Sequence, residues 1–407
     1  MKKILLMSSV IPDGNGIGVQ RRIANYLKAL CKHFEVHLLV CKPFYKGNPI
    51  PESLAALCES AVLMPVDVKK SSFPTWFPPM SYIAEWLHPS YKRNMPDEKQ
   101  LKEIAKLFAA HQFDTVFCFR IRTSIILDRL EEANMVKKSY KKIVDFDDIE
   151  SVAIARELET KGGEAGLEYR LIQALRIRRL EQLEARFLQS YDIVLSCSDK
   201  DTLWLEQQKP KARILSAPNC VVLPETVAHG EEGAEVVNIL FVGTMSYLPN
   251  EDGIIWFVKN IYPQLVKRSS KPISLTLVGY NPAQKVRDLA RFEGVTVTGG
   301  VESVVPYYEN CHFVISPIRF GGGTRIKILE ALSQEKAVVS TTVGAEGIEV
   351  EHAKSILLAD SEEDFVKACL TLIDSPSQRL ALGKAGRELV ANHYTVDAIG
   401  EKIKAII

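Results

Sequence analysis

The chain has 407 residues, too long for one ordinary core, so two domains are the starting expectation. Its 51 Lys and Arg against 50 Asp and Glu leave a formal net charge of +1 with no block of like charge, which argues against a nucleic-acid binder. With 46% hydrophobic and 25% charged residues it reads as a soluble globular protein.

The opening "MKKILLMSSVIPDG" imitates a signal peptide, but the apolar run is short, Pro12-Asp13-Gly14 ends it, and no small-residue cleavage site follows. It reads as a first β-strand. No apolar run reaches the ~18 residues needed to span a bilayer. "GVQRRIANYLKALCKH" is helical and "FEVHLLVC" a second strand. His33 and His37 are four apart, a metal spacing on a helix, but here they straddle a helix end and a strand start, so no metal is expected. "KKSSFPTWFPPMSYIAEWLHPSYKR", residues 69 to 93, reads as an irregular excursion. Its aromatics suit either a core or an acceptor-facing or membrane-grazing surface.

"FDTVFCFR", "KKIVDFDD" and "YDIVLSCS" follow as strands, apolar on both faces and separated by helices, the grammar of a parallel sheet covered on both sides. "FCFRIRTS" and "VDFDDIES" are expected at the carboxyl ends of neighbouring strands. Alternation then makes Arg120 and Arg122 point the same way, near Asp147 and Asp148. Two readings stand: an internal Arg–Asp ion-pair network, or an arginine gripping a phosphate while an aspartate, Asp148 for choice, orients an acceptor hydroxyl. From Arg156 to Gln189 the chain is mostly helical, interrupted at Gly162-Gly163, with interleaved Glu and Arg suited to a solvated surface. Eight cysteines, at 31, 41, 58, 118, 197, 220, 311 and 369, form no Cys-x-x-Cys pair and read as reduced thiols of a cytosolic protein.

The composition of "APNCVVLPETVAHGEEGAE" suits a linker at 218 to 235. It would separate an N-terminal domain, 1 to 217, from a second domain, 236 to 390, with a last helix in 391 to 407 crossing back to the first. Beyond the linker "VVNILFVGT", "ISLTLVG", "GVTVTGG", "HFVISPI", "KAVVSTTVG" and "SILLAD" restart the strand–helix alternation. The fold class is α/β, two doubly wound Rossmann-like domains facing a central cleft.

The most informative string is "FGGGTRIKILEAL". Gly321, Gly322 and Gly323 lie in a strand-to-helix turn, where ligands bind in open α/β folds. Bare N–H groups at a helix start form an anion site, and glycines let a diphosphate approach them. Arg325 and Lys327 follow Thr324 in the first turn, unfavourable for the helix alone but sensible beside a negative ligand. Glu330 sits about 9 Å further along, suited to the hydroxyls of a ribose.

The order of elements and three strings, "FVGTMSYLPNEDGIIWF", "GGVESVVPYYENCHFVISP" and "GGGTRIKILEALSQEKAVVSTTVGAEGI", resemble the glycine-rich subgroup of the family 4 glycosyltransferases, whose two-domain fold is called GT-B. The first domain matches more weakly, through "GNGIGVQRRIANYL" and "IVDFDDIES". The resemblance implies a retaining, metal-independent transferase that needs no cofactor. A nucleotide-sugar donor, UDP- or GDP-linked, would bind the second domain. The first would present a sugar, lipid-linked or other acceptor, in the cytoplasm or at the inner face of the membrane, with surface-polysaccharide or glycoconjugate synthesis as the setting.

Glu330 matches the second member of the family's Glu-x7-Glu pair, which binds the ribose, while Gly322 stands at the first. Many members carry an Arg and a Lys after the "VG" strand to clamp the diphosphate. This chain has Thr244 and Met245 there, with Arg325 and Lys327 expected to supply the charge. Gly16 and Gly18 match the N-domain loop facing the diphosphate. Asp147 and Asp148 stand where a histidine is often found.

A Rossmann dehydrogenase is excluded, because after Gly14 and Gly16 the third glycine of Gly-x-Gly-x-x-Gly is Val19. Two alternatives remain, a nucleotide-sugar epimerase of the same architecture and a non-catalytic partner subunit.

Overall fold

A computed structural model of the chain describes residues 1–43, 49–66, 95–161, 166–228, 235–321 and 325–407. The aromatic excursion and Gly322, Gly323 and Thr324 therefore lie outside the described residues. The chain divides into two compact units, Met1–Ala217 with Gly400–Ile407, and Pro218–Ile399.

Unit 1 is built on a seven-stranded parallel sheet: β1 (Lys3–Ser8), β2 (Glu35–Pro43), β3 (Ser60–Val66), β4 (Thr115–Phe119), β5 (Lys141–Asp145), β6 (Ile193–Ser196) and β7 (Arg213–Ser216). The spatial order is β3-β2-β1-β4-β5-β6-β7. Two of these strands go beyond the five that periodicity marks. β3 and β7 are the edges, and β7 has four residues, two of them half-buried and one exposed. Neither has the two-sided burial that makes central strands readable.

Unit 2 repeats the plan with β8 (Val237–Val242), β9 (Ile273–Val278), β10 (Val295–Gly299), β11 (Phe313–Ser316), β12 (Ala337–Ser340) and β13 (Leu357–Leu358), ordered β10-β9-β8-β11-β12-β13. Every pairing is parallel, as in β8–β9 and β11–β12. Period-two alternation divides the core. Val237, Ile239 and Phe241 of β8 join Phe313, Ile315, Ala337 and Val339 on one face. Leu240 and Val242 join Val314 and Val338 on the other. Each of the buried Val, Leu, Ile and Phe side chains contributes about 1.5–3 kcal/mol by leaving water. Strand order reverses between β1 and β4 and between β8 and β11. These are the switch points where the loops after two neighbouring strands part.

Segment 218 to 228, expected as linker, packs on unit 2. Cys220 and Val221 are buried. The Lys336 ammonium donates to the carbonyls of Ala228, Glu309 and Cys311 at 2.8, 3.2 and 3.1 Å. Arg387 Nη2 donates to the Pro224 carbonyl at 2.6 Å. Two buried apolar residues and two cations on its carbonyls hold this segment to unit 2. The last helix, Val396–Lys404, runs across the unit boundary. In unit 1 the Ile407 carbonyl accepts from Lys2 Nζ at 2.6 Å.

Helix Leu248–Trp256 lies directly on the turn after β11. A Cβ on Gly253 would stand 2.3 Å from the Pro317 carbonyl oxygen. In a free helix Gly→Ala gains about 1 kcal/mol. Here we expect Gly253→Ala to reverse that sign, with a net loss of about 1–3 kcal/mol from overpacking. Denaturant unfolding monitored by circular dichroism checks it; a variant as stable as the parent or more so would contradict the packing.

Candidate active site

In unit 2 the residues predicted for donor binding gather at the β8/β11 switch point. Helix Ile326–Ser333 buries Ile328, Leu329, Ala331 and Leu332. This turns Lys327 and Glu330, one turn apart, to the opposite face. Arg325 is the N-cap residue and is 8% exposed. Its Nε and Nη2 have no hydrogen-bond partner among the described residues. Gly321, with φ of 113°, brings its backbone against this guanidinium; a Cβ there would lie 2.7 Å from Nη2. Side chains other than glycine rarely adopt such a φ.

The Lys327 ammonium donates to Asn250 Oδ1 at 2.5 Å and sits 4.4 Å from the centre of the Phe241 ring. Burial, and then the Arg325 charge, push its pKa well below the ordinary lysine value, with Glu330 partly opposing. The Tyr308 hydroxyl donates to Glu330 Oε2 at 3.4 Å, a long contact. Thr244 lies in the turn after β8 and uses its carbonyl to accept from Asn250 Nδ2 at 2.8 Å. Met245 beside it is fully buried, its N–H donating to the Tyr280 carbonyl at 3.0 Å. Gly321, Arg325, Lys327, Glu330 and Thr244 thus occupy one loop, one helix and the facing turn. Among the described residues, two cations at a helix start meet the carboxylate of Glu330, which suits an anionic ligand.

In unit 1 a second polar group occupies the carboxyl ends of β4, β5 and β6. Its centre is Arg22, fully buried on helix Gly18–Cys31. It pairs with Asp145 through Nε–Oδ2 at 3.0 Å and Nη2–Oδ1 at 2.9 Å, and Nη2 also donates to the Ala217 carbonyl at 2.8 Å. Burial lowers the Arg22 pKa, but the Asp145, Tyr26 and Asp147 charges and the hydrogen bond to Asp145 together raise it well above the ordinary arginine value. Asp147, at φ 61°, approaches Arg22 Nε at 3.4 Å and Arg120 Nε at 3.9 Å. Burial still lifts its carboxyl to about 7.

The expectation that Arg120 and Arg122 share one side of a strand is corrected. β4 ends at Phe119, Arg120 adopts φ 70°, and Arg122 lies in the first turn of helix Ile121–Glu132. The chain must leave the buried sheet here, and Thr123 Oγ1 ties the turn by donating to the Phe119 carbonyl at 2.9 Å. Arg120 Nη2 lies 3.6 Å from Glu150 Oε1. The arginine is thus in a loose ion-pair network with Asp147 and Glu150. Asp148 is half-buried, and no hydrogen bond or ion pair holds its carboxylate among the described residues. Its charge, after burial, helps push the Cys197 thiol up, placing it near the end of β6.

Gly16 and Gly18 flank the start of helix Gly18–Cys31. The Gly16 carbonyl accepts from Arg21 Nε at 2.6 Å, and the Ile17 N–H donates to Gln20 Oε1 at 3.2 Å. Sequence reasoning missed Arg22, Asp145 and Asn250. The available signal was a charge on the apolar face of a helix, since Arg22 is followed by Ile23, Tyr26 and Leu27.

Residues 236–375 match the family model described as Glycosyl transferases group 1. A protein from Klebsiella pneumoniae, described as an uncharacterized 44.6 kDa protein in cps region, is 30% identical over 139 residues, 32% of this chain. The match spans about a third of that relative's length, 35%. Across the whole chain the fold is similar to sucrose-phosphate synthase from Thermosynechococcus elongatus, with TM-score 0.70, 15% identity and 98% of that chain covered. It is also similar to a mutant of S. aureus TarM, solved in complex with fondaparinux, alpha-GlcNAc-glycerol and UDP, with TM-score 0.68, 13% identity, and 100% of this chain and 99% of that one covered. The fold is therefore the two-domain, Rossmann-like GT-B architecture.

Proposed function

We propose that the protein is a glycosyltransferase that moves a sugar from a nucleotide-sugar donor to an acceptor hydroxyl, with retention of configuration and without a metal ion. The observation that carries this reading is the buried Arg325, whose Nε and Nη2 have no hydrogen-bond partner among the described residues, beside Lys327 at a helix start on the β8/β11 switch point. The family match over 236–375 and the UDP in the TarM complex support a nucleoside diphosphate as the anion.

In this reading Arg325, Lys327 and the backbone of Gly321 to Thr324 hold the diphosphate, Glu330 bridges the ribose hydroxyls, and Thr244 lines the opposite wall. Gly16 and Gly18, at the start of helix Gly18–Cys31 in unit 1, are proposed as further donor-binding residues. As the bond from the sugar to the leaving phosphate breaks, negative charge grows on that phosphate. Fixed cations and N–H groups stabilise it without reorganisation. The leaving phosphate takes the acceptor proton, so no strong base is required. Asp148 orients the acceptor hydroxyl, with Arg120 and Asp147 shaping the charge around it. The acceptor is a sugar or a lipid-linked or other glycoconjugate, met in the cytoplasm or at the inner membrane face. No helix among the described residues is long and apolar enough to cross a membrane. Surface-polysaccharide or glycoconjugate synthesis is the assigned setting, supported by the cps-region relative.

Four outcomes are expected. UDP or GDP should bind in the presence of a chelator, measured by calorimetric titration; absence of binding, or a requirement for magnesium, would contradict the reading. Glu330→Ala should weaken that binding by about 10- to 100-fold, since a charge-assisted hydrogen bond contributes about 1.5–3 kcal/mol. Tyr308→Phe, which removes a hydroxyl with long contacts to Glu330 and to the Lys327 carbonyl, should bind like the parent. Asp148→Asn should keep nucleotide affinity and lose most transfer to acceptor, followed by product formation from radiolabelled donor. Unchanged transfer by the folded variant would remove Asp148 from the mechanism.

A further inference from the structure

The turn after β8 and the helix carrying Lys327 are far apart in sequence and are joined by one side chain. Asn250, on helix Leu248–Trp256, is 6% exposed. Its Oδ1 accepts from Lys327 Nζ at 2.5 Å and its Nδ2 donates to the Thr244 carbonyl at 2.8 Å. An ammonium can only donate and a carbonyl can only accept, so these partners fix the orientation of the amide. The backbone closes over the pair. A Cβ on Gly243 would stand 2.8 Å from Asn250 Nδ2 and 3.0 Å from Lys327 Nζ.

We infer that Asn250 is a positioning residue of the anion site: it fixes the Lys327 ammonium against the turn after β8 through a neutral contact and leaves its charge for the ligand. The inference rests on the proposed binding of a diphosphate. A carboxylate at this position would hold the ammonium equally well but would spend its charge. The surrounding groups fit this role. On its own helix Lys327 faces Arg325 and Glu330. Helix Leu248–Trp256 brings Glu251 and Asp252, each committed elsewhere, to Lys285 at 2.5 Å and to Arg319 at 2.7 Å. Helix Val305–Asn310 brings Tyr308, whose hydroxyl lies 3.4 Å from the Lys327 carbonyl, and next to it in sequence Glu309, whose carbonyl accepts from Lys336. β8 contributes the uncharged ring of Phe241.

The pH dependence follows from the sign of the coupling. An anion binds the protonated ammonium, so affinity is full below the Lys327 pKa of the free protein and falls as pH rises through it. Asn250→Ala removes the acceptor, which moves that fall to lower pH. Asn250→Asp adds a negative neighbour, which moves it to higher pH while the carboxylate competes with the anion at the plateau. At the low-pH plateau both variants should lose affinity, Asn250→Ala by about 10-fold or more for the lost charge-assisted contact, and their pH dependences should shift in opposite directions. A purely structural role would not produce that pattern.

The test is calorimetric titration of inorganic pyrophosphate, UDP and GDP into parent, Asn250→Ala and Asn250→Asp across the neutral-to-alkaline range, with folding checked by circular dichroism. The Lys327 amine is also titrated by nitrogen-15 NMR in the ligand-free parent and in the near-isosteric Asn250→Asp, which keeps the test available should the alanine variant unfold. Weaker binding with opposite pH shifts, and a higher amine pKa in Asn250→Asp, are the expected results. Parent-like affinity and pH dependence in the variants, or an unshifted amine, would overturn the assignment of Asn250 alone. Binding of pyrophosphate without UDP or GDP would overturn the proposed function and leave Asn250 in place; a parent that binds none of the three would overturn both.

Discussion

Burying a polar group without a partner costs about 1–3 kcal/mol, and more when the group is charged. Unit 2 accepts that cost at Arg325, whose Nε and Nη2 are unmatched among the described residues. The elements around it are arranged so that it persists. Four apolar side chains anchor helix Ile326–Ser333 to the core behind it. Gly321 lets the chain pass beside the guanidinium. Helix Leu248–Trp256 presses on the Pro317 carbonyl and also delivers Asn250 to Lys327. A site strained in this way is stable because the sheet beneath it, apolar on both faces, supplies a surplus of burial.

Unit 1 treats its charges in the opposite manner. Arg22 is buried more completely still, but its Nε and Nη2 both meet Asp145 in a two-pronged pair. Replacing one partner of such a pair would strand the other, at about 3–5 kcal/mol. The pair is best understood as tying the end of β5 to the Ala217 carbonyl, with Asp147 and Asp148 carried on the turn that β5 releases. Electrostatic matching at Arg22 in unit 1 and unmatched positive charge at Arg325 in unit 2 are therefore two uses of the same strand-end geometry.

Periodicity made the central strands readable because they are buried on both faces and appear as continuous apolar runs. The edges β3 and β7 lack that signature, and Pro65 interrupts the first of them. The glycine turn was legible because its chemistry is local: three glycines, two cations and a carboxylate within ten residues. Arg22 and Asn250 were not, since their meaning depends on Asp145, 123 positions away, and on Lys327, 77 positions away. A charged or amide residue on a helix looks the same in sequence whether it meets water or a buried partner. Arg120 was misread for a related reason. Alternation predicts side-chain direction only while the strand lasts, and hydrogen bonds from the turn, not composition, end β4 at Phe119.

The glycine at position 322 has an electrostatic consequence. From Phe320 to Leu329 the chain carries Arg325 and Lys327 and no acidic residue, and Glu330 is the first carboxylate. A glutamate at 322, as in the resembling family's first position, would add a negative charge three residues before Arg325 and offset part of the positive potential there. With glycine, that potential remains, and the Lys327 ammonium is held by an amide and an aromatic face instead of a carboxylate. On the proposed function, the chain gives up a carboxylate contact with the donor sugar and keeps more positive charge for the diphosphate. Selectivity among donors would then rest more on the nucleotide, through Glu330, than on the sugar. Screening nucleotide-sugars that share a base should accordingly show smaller differences in affinity than screening bases that share a sugar, and the reverse order would contradict this distribution of contacts.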